Sequence, residues 1–336
     1  MTVSVREVAE LAGVSIGTVS NVINRPEKVA QATADRVQRA ISELGYVRND
    51  SARQLRMGRS TTVGMIVLDV GNPFFAELAR GAEDAALEQG LAIILGNSNH
   101  SGDRERTYID LFSERRVAGM LISPTSDDLA ALEPLADQGT TVVLVDQRPD
   151  NSRFSSVSVD DVYGGRLAGQ HLLGAGRRRL AYVGGPASIP QVRDRLDGFR
   201  QAVAESGSVA RVEPFEGREL TVLEGRRIGE LLAARSATNR PDAVFAANDL
   251  LAIGLEQAFL MSGSIRIPED IAIVGYDDIA FAQSAVVPLT SVRQPAYELG
   301  HRSVETLANQ FDTSGHDPIQ LQFLPELITR QSTRGT

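Results

Sequence analysis

Residues 4–24, SVREVAELAGVSIGTVSNVIN, constrain the fold more than any other stretch of this 336-residue chain. Read with a period of 3.6, Val5, Val8, Ala9 and Ala12 share one face of a short helix, while Arg6, Glu7 and Glu10 face solvent. Gly13 stops that helix. The Ser15 hydroxyl is placed to cap a second one, whose buried stripe is Val19, Val22 and Ile23. Two short helices joined by a tight glycine-containing turn make a helix-turn-helix, and the small Ala9 lets them cross closely. Ile16, Gly17, Thr18, Ser20 and Asn21, with Asn24 at the helix end, are left on the outer side. In the major groove such a face reads bases: asparagine pairs with adenine, and an apolar side chain touches a thymine methyl.

Charge supports this reading once the chain is divided. Residues 1–60 carry nine Arg and Lys against six Asp and Glu, giving +3, whereas the remainder carries 25 against 37, giving −12. An acidic body with a mildly basic head is repelled by phosphate everywhere except at the head. Thr33 begins a third helix with Val37, Ala40, Ile41 and Leu44 on its inner face, and Gly45 ends it. The connector that follows, YVRNDSARQLRMGR, offers Asn49 or Asp50 as the cap of a helix through Ala52, Arg53, Leu55 and Arg56. So short a helix is marginal alone, and it is expected to order only on DNA.

From Thr62 the texture becomes strand-helix alternation. VGMIVLDV, LAIILGN, AGMLISP, TVVLVDQ, LAYVGGP, AVFAAND and IAIVGYDD read as short buried strands, with helices such as 74–89, 103–116 and 160–175 between them. Strands apolar on both sides mean α/β architecture, a parallel sheet covered on both faces. In such sheets ligands bind beyond the carboxyl ends of the strands, where Asp69, Ser123, Thr125, Asp146, Asn248, Asp249 and Asp277 stand. Phe74 and Phe75 follow the first strand, and Arg193 and Arg195 lie in QVRDRLDGF. Carboxylates and amides that accept from hydroxyls, a guanidinium that donates and an aromatic face suit a polyol. The competing structural role, capping of the following helix, is expected for Asp249 and Asp278.

The run AGVSIGTVSNVIN, then LGYVRND and SARQLR, then GNPFF at 71–75, AAND at 246–249, VGYDD at 274–278, TSVRQP at 290–295 and LITRQST at 327–333 resemble, in order, the lactose-repressor (LacI/GalR) family. The resemblance implies an all-α helix-turn-helix headpiece at 1–45 and a hinge helix and linker at 46–60. It also implies a periplasmic-binding-protein-like core at 61–336, made of two doubly wound parallel-sheet subdomains. One subdomain would hold about 61–159 and 290–319, the other about 160–288 and 320–336. Asn49, Ala52, Arg53, Leu55 and Arg56 would belong to the DNA contact, with Leu55 matching a leucine that wedges into the minor groove. Arg195 and Asp277 would be the strongest ligand contacts, Phe74, Asn248 and Asp146 the next, with Asp69, Ser123, Thr125, Leu220 and Gln294 completing the set. The chain departs from the family pattern at Asn21, Ala30 and Ala34, where Arg, Ser and Arg are usual. It has no tryptophan, and Leu220 stands where some relatives have an aromatic ring.

The expected function is a homodimeric, ligand-responsive repressor of sugar-uptake or catabolism genes, bound to palindromic double-stranded operator DNA. One recognition helix spans too few base pairs to be specific alone. A small-molecule effector, most simply a sugar, would release the DNA; a co-repressor that tightens binding stays open, as does a nucleobase. With Thr336 only a few residues beyond LITRQST, a dimer is expected rather than a tetramer. A sugar- or nucleobase-binding protein without DNA binding would explain residues 61–336 equally well, but not the headpiece. No catalytic residues, cofactor or metal are expected. GxxxxGK[ST], GxGxxG after a strand and a strand-to-helix GxSxG elbow are all missing, there are no cysteines, and the four histidines show no metal-ligand spacing, so packing or surface roles are assigned to them. No stretch reaches the ~18–20 apolar residues of a membrane span, and no signal-peptide pattern opens the chain. A cytoplasmic protein is therefore expected.

Overall fold

The computed structural model describes residues 3–46, 60–149, 153–311 and 317–334. The chain divides into two units, Met1–Arg59 and Ser60–Thr336. In the first, α1 (Val5–Ala12) starts at Ser4, whose hydroxyl accepts from the Glu7 amide while the Glu7 carboxylate accepts from the Ser4 amide. These two bonds satisfy donors that a helix start leaves open. Gly13 ends α1 at φ 63°, a conformation that costs glycine little. The Ser15 hydroxyl caps α2 (Ile16–Asn24) by accepting from the Thr18 amide at 3.1 Å. A third helix, α3 (Gln31–Leu44), begins two residues before the expected Thr33, and its N-cap, Ala30, offers no side-chain acceptor. Val8, Ala9, Ala12, Val19, Val22, Val37 and Ala40 form the core of this three-helix unit.

The second unit holds two six-stranded sheets, each covered by helices. The first sheet contains β1 (Thr62–Val67), β2 (Ala92–Asn97), β3 (Gly119–Ile122), β4 (Thr141–Val145), β5 (Ser155–Val159) and β11 (Gln320–Phe323). Its order is β11-β5-β4-β3-β1-β2, all parallel. The second contains β6 (Arg179–Gly184), β7 (Arg211–Glu216), β8 (Ala243–Ala246), β9 (Ala272–Asp277), β10 (Thr290–Arg293) and β12 (Glu326–Ile328). Its order is β12-β10-β9-β8-β6-β7, with β12 alone antiparallel to its neighbour. We call the regions around them the first and second lobes.

The seven apolar runs all form strands. The lobe boundaries differ from expectation at the C-terminal end. β10, placed by sequence with the first lobe, pairs with β9, because the buried Thr290 and Ser291 are tied to Ser332 and Asp249 of the second lobe. Conversely β11, expected in the second lobe, completes the first sheet along β5 and turns Leu321 and Phe323 onto its core. The chain therefore passes between lobes near 160, 294 and 324.

Helices cover the sheets in pairs: α4 (Pro73–Glu88) with α12 (Ala296–Asn309), α7 (Asp161–Gly174) with α8 (Pro190–Glu205), and α9 (Val222–Ala233) with α10 (Asp249–Met261). Between β2 and β3 runs α5 (Gly102–Glu114); shorter helices are α6 (Glu133–Asp137) and α11 (Ala280–Ser284). Each pair crosses on reciprocal glycines. A Cβ on Gly81 would meet the Tyr297 carbonyl oxygen at 2.0 Å and one on Gly300 that of Leu78 at 1.9 Å. Gly165 and Gly198 stand in the same relation to Arg195 and Val162, and Gly225 and Gly254 to Leu251 and Val222.

Candidate functional site

On α2, Ile16 is 43% exposed, and Gly17 and Asn21 are also exposed. The other candidates on this helix make bonds within it. Ser15 and Thr18 share a hydroxyl contact of 2.9 Å, and the Asn24 amide donates to the Ser20 carbonyl at 2.8 Å. Arg6, Arg25, Lys28, Arg36 and Arg39 are exposed around the unit. Asn49, Ala52, Arg53, Leu55 and Arg56 lie outside the described residues.

In the second unit a cavity of about 30 Å³ lies where the carboxyl ends of both sheets face one another. Strand ends supply most of its polar wall: Asp69 after β1, Asp146 after β4, Asn248 after β8, Asp277 closing β9 and Gln294 after β10. The backbone leaves the strands sharply there, with Asp146 at φ 60° and Asp277 at φ 101°. Such positions are sparsely populated by residues other than glycine and cluster where a side chain must be re-aimed.

The first turn of α4 brings Phe74 and Phe75, edge to face with centroids 5.0 Å apart. From α8 comes Arg195, 5% exposed, whose Nε donates to Asp161 Oδ1 at 2.7 Å and whose Nη1 donates to the Ala247 carbonyl at 2.7 Å. Its guanidinium carbon stands 3.7 Å from the centroid of the Tyr276 ring. Burial works against the charge of Arg195, but Asp161, Tyr276, Asp277 and Asp146 outweigh it and hold the group protonated.

Asp277 is held between two amides, accepting from Asn72 Nδ2 at 3.0 Å and from Gln294 Nε2 at 2.8 Å. The Asn72 bond joins the two lobes, as do the bonds from Gln191 Nε2 to the Asp146 carbonyl at 2.5 Å and to its Oδ2 at 3.3 Å. Burial pushes the carboxyls of Asp146 and Asp277 above their ordinary range. On the rim Arg193 pairs with Asp127 of the first lobe and does not reach into the cavity.

Phe74, Asp69, Asp146, Arg195, Leu220, Asn248, Asp277 and Gln294 thus surround one space. Ser123 and Thr125 do not. β3 ends at Ile122, Ser123 is buried against β1 through its amide bond to Ile66, and the Thr125 amide turns to Glu105 on α5 at 2.7 Å. The capping expectation also moves by one residue. Asn248 Oδ1 caps α10 through the Leu251 amide, while Asp249 is buried and accepts from Ser291 and the Ile279 amide. Asp278 binds Arg293 and Arg330 rather than a helix start.

Sequence reasoning missed Asn72, Gln191 and His100, all of which line the cavity. Gln191 lies one helical turn before Arg195, a spacing that puts both on one face. His100 had been assigned to the surface or to packing.

The N-terminal unit matches the model of bacterial regulatory proteins of the lacI family over residues 4–49, and residues 170–333 match a periplasmic binding protein-like domain. The chain is 32% identical over 331 residues to the HTH-type transcriptional repressor PurR of Aliivibrio fischeri, covering 98% of each. It is 33% identical over 333 residues to the ribose operon repressor of Escherichia coli, covering 98% of this chain and 99% of that one. The chain belongs to the LacI family. A crystal structure of the Lac repressor dimer bound to operator and the anti-inducer ONPF aligns over 100% of both chains, with a TM-score of 0.85 at 27% identity. As a LacI-family protein it is a DNA-binding transcriptional repressor with a ligand-responsive core, and not an enzyme. No helix among the described residues is long and apolar enough to cross a membrane.

Proposed function

We propose that this repressor acts as a homodimer on a palindromic operator and is released by a neutral polyol, which the two lobes must part to admit, because the closed cavity has room for only about two waters. The observation that carries this reading is the set of enclosed atoms without a partner around the cavity. Asp146 Oδ1, Gln191 Oε1 and Gln294 Oε1 are all of that kind, and all are acceptors. An enclosed acceptor left unpaired costs ~1–3 kcal/mol, so a ligand that supplies several O–H donors recovers that cost. Asp69, Asp146 and Asp277 surround the space, and they disfavour a phosphate or carboxylate in the same place. Arg195 donates to a ring or hydroxyl oxygen, and Phe74 and Phe75 cover the C–H face. The similarity to a ribose operon repressor supports a sugar, and that to PurR keeps a purine as the comparison compound.

Two features support a dimer. β2 is an edge strand with Ile94 47% and Leu95 44% exposed, and Leu223, Met261 and Phe281 are exposed on the second lobe. An exposed apolar edge strand is a surface that a second copy of the chain can cover, and exposed apolar side chains on the second lobe extend what it could bury. Ligand held by both lobes changes the angle between them, and a coupling of ~1–3 kcal/mol shifts DNA affinity about 5- to 150-fold. The genes controlled would then be those for uptake or catabolism of the same sugar.

A gel-shift titration on a selected operator, with neutral monosaccharides, their phosphates and purines, tests this. Release by a neutral monosaccharide is expected. Response to phosphates or purines alone would refute the polyol, and tighter DNA binding with sugar would reverse the sign.

A further inference from the structure

One residue beyond β2, Asn99 and His100 are consecutive left-handed residues, with φ of 49° and 57°. This double turn is pinned by the His100 amide, which donates to the Leu68 carbonyl at 3.2 Å, and it precedes Ser101, the cap of α5. The turn brings the imidazole to the wall of the cavity, where Nδ1 is enclosed without a partner. None of the bonds that fix the site, among Asp161, Arg195, Asn72, Asp277 and Gln294, uses this ring.

We infer that His100 is a ligand-contacting and specificity-determining residue of the cleft, whose Nδ1 forms a hydrogen bond with one hydroxyl of the bound polyol. The inference rests on the polyol reading and adds to it a fifth polar contact, supplied by the turn after β2. A neutral imidazole matches a hydroxyl in either tautomer, because the hydroxyl donates or accepts as needed. Burial lowers the pKa of His100 against the raising influence of Asp69 of the first lobe and Glu219, in the turn before α9, of the second. Asp146, Asp277 and Arg195 are the other charged groups on the same cavity. Near pH 7 the ring is therefore uncharged and Nδ1 can accept or donate; acidification leaves it a donor only, which changes which hydroxyl orientation it can meet.

The test uses the full-length protein and calorimetric titration with D-ribose, D-xylose, D-glucose, D-galactose and D-fructose. His100→Gly removes the ring at a φ that glycine adopts freely, and His100→Asn keeps a polar group without a proton to lose in this range. Unchanged melting without sugar confirms that both variants fold. For the sugar that native protein binds most tightly, His100→Gly is expected to weaken binding about 10-fold, the loss of one hydrogen bond, and to flatten the ranking of the five sugars. Native affinity should change on acidification, as the imidazole gains its proton, more steeply than that of His100→Asn, whose remaining slope reports Asp146 and Asp277. Equal affinities and equal pH profiles in native and His100→Gly protein would overturn the role of His100 and leave the polyol reading standing. Failure of native protein to bind any of the five sugars would overturn the polyol reading and the inference with it.

Discussion

Arg195 and Asp161 form a buried ion pair at 2.7 Å, each side chain only 6% exposed, on the two helices that meet at the crossing of Gly165 and Gly198. The pair holds the guanidinium in place so that no ligand has to order it. Binding then spends little on freezing a long side chain.

Removal of either partner leaves a buried charge uncompensated, at a cost of ~3–5 kcal/mol. Asp161→Ala should thus lower the melting temperature substantially. Arg195→Met, which keeps volume and removes the charge, should do less harm to Asp161-linked stability when combined as Arg195→Met with Asp161→Asn than either change alone. Denaturant melts of the two single variants and the double variant check this; additive losses would mean that the two residues are not coupled.

Asp277 accepts from both Asn72 and Gln294, so Asp277→Asn sets an amide against two amides. A repressor with this change should keep operator affinity and lose most of its response to effector, by about 10-fold or more, as expected for a charged acceptor that is removed from a buried site. Gel shifts with and without sugar measure both quantities.

Gly165 allows the Arg195 carbonyl within 2.0 Å of where a Cβ would stand. Gly165→Ala must therefore push α8 outward and carry Arg195 with it. Effector affinity should drop, together with ~1–3 kcal/mol of stability from overpacking. An alanine variant with native affinity, measured by calorimetry, would show that the helices separate without moving the guanidinium.

The pH dependence follows from Asp146 and Asp277, whose carboxyls are held above the ordinary aspartate value of 3.8 in the folded state because they are buried. Over the interval between the unfolded and folded values the native state holds more protons, so stability falls as pH rises through the raised values. The contribution is fully present below the unfolded pKa. Melting of the effector-free protein should accordingly rise on acidification through the raised values, and Asp146→Asn should flatten the slope. A native profile that already falls over that interval would contradict the assignment.

We propose that Leu55 is the hinge leucine that the sequence resemblance implies. If it wedges between base pairs, Leu55→Ala should weaken operator binding much more than nonspecific binding at equal salt. Equal losses in salt-matched titrations would refute the wedge.

Much of this molecule is legible in its sequence. The helix-turn-helix announces itself because Ser4, Glu7, Gly13 and Ser15 are local signals whose partners lie within a few residues. The seven strands were legible because parallel strands covered on both faces read as continuous apolar runs. β5 was not, since SSVSV alternates serine with valine although all five positions are buried. Nor was β7, an edge strand that carries Pro214. The strand-end acids were found from position alone, whereas Ser123 and Thr125 were misplaced because Glu105, twenty residues before Thr125, draws their loop toward α5. His100 was passed over because its contribution depends on two left-handed residues, which a pattern of apolar periods does not register. The reciprocal glycines were invisible for a related reason: each matters only against the partner helix.

The three passages between lobes run side by side. The Asp160 amide donates to the Phe323 carbonyl at 2.9 Å, and Arg293 pairs with Glu326. The segment from 323 to 326 is thereby laced to both of its companions. A bundle of straps sewn together along its length resists shear and torsion while it still bends. Such a seam favours a nod of one lobe against the other over sliding or twisting, so an effector of the wrong size would register as the wrong angle and not merely as weaker grip.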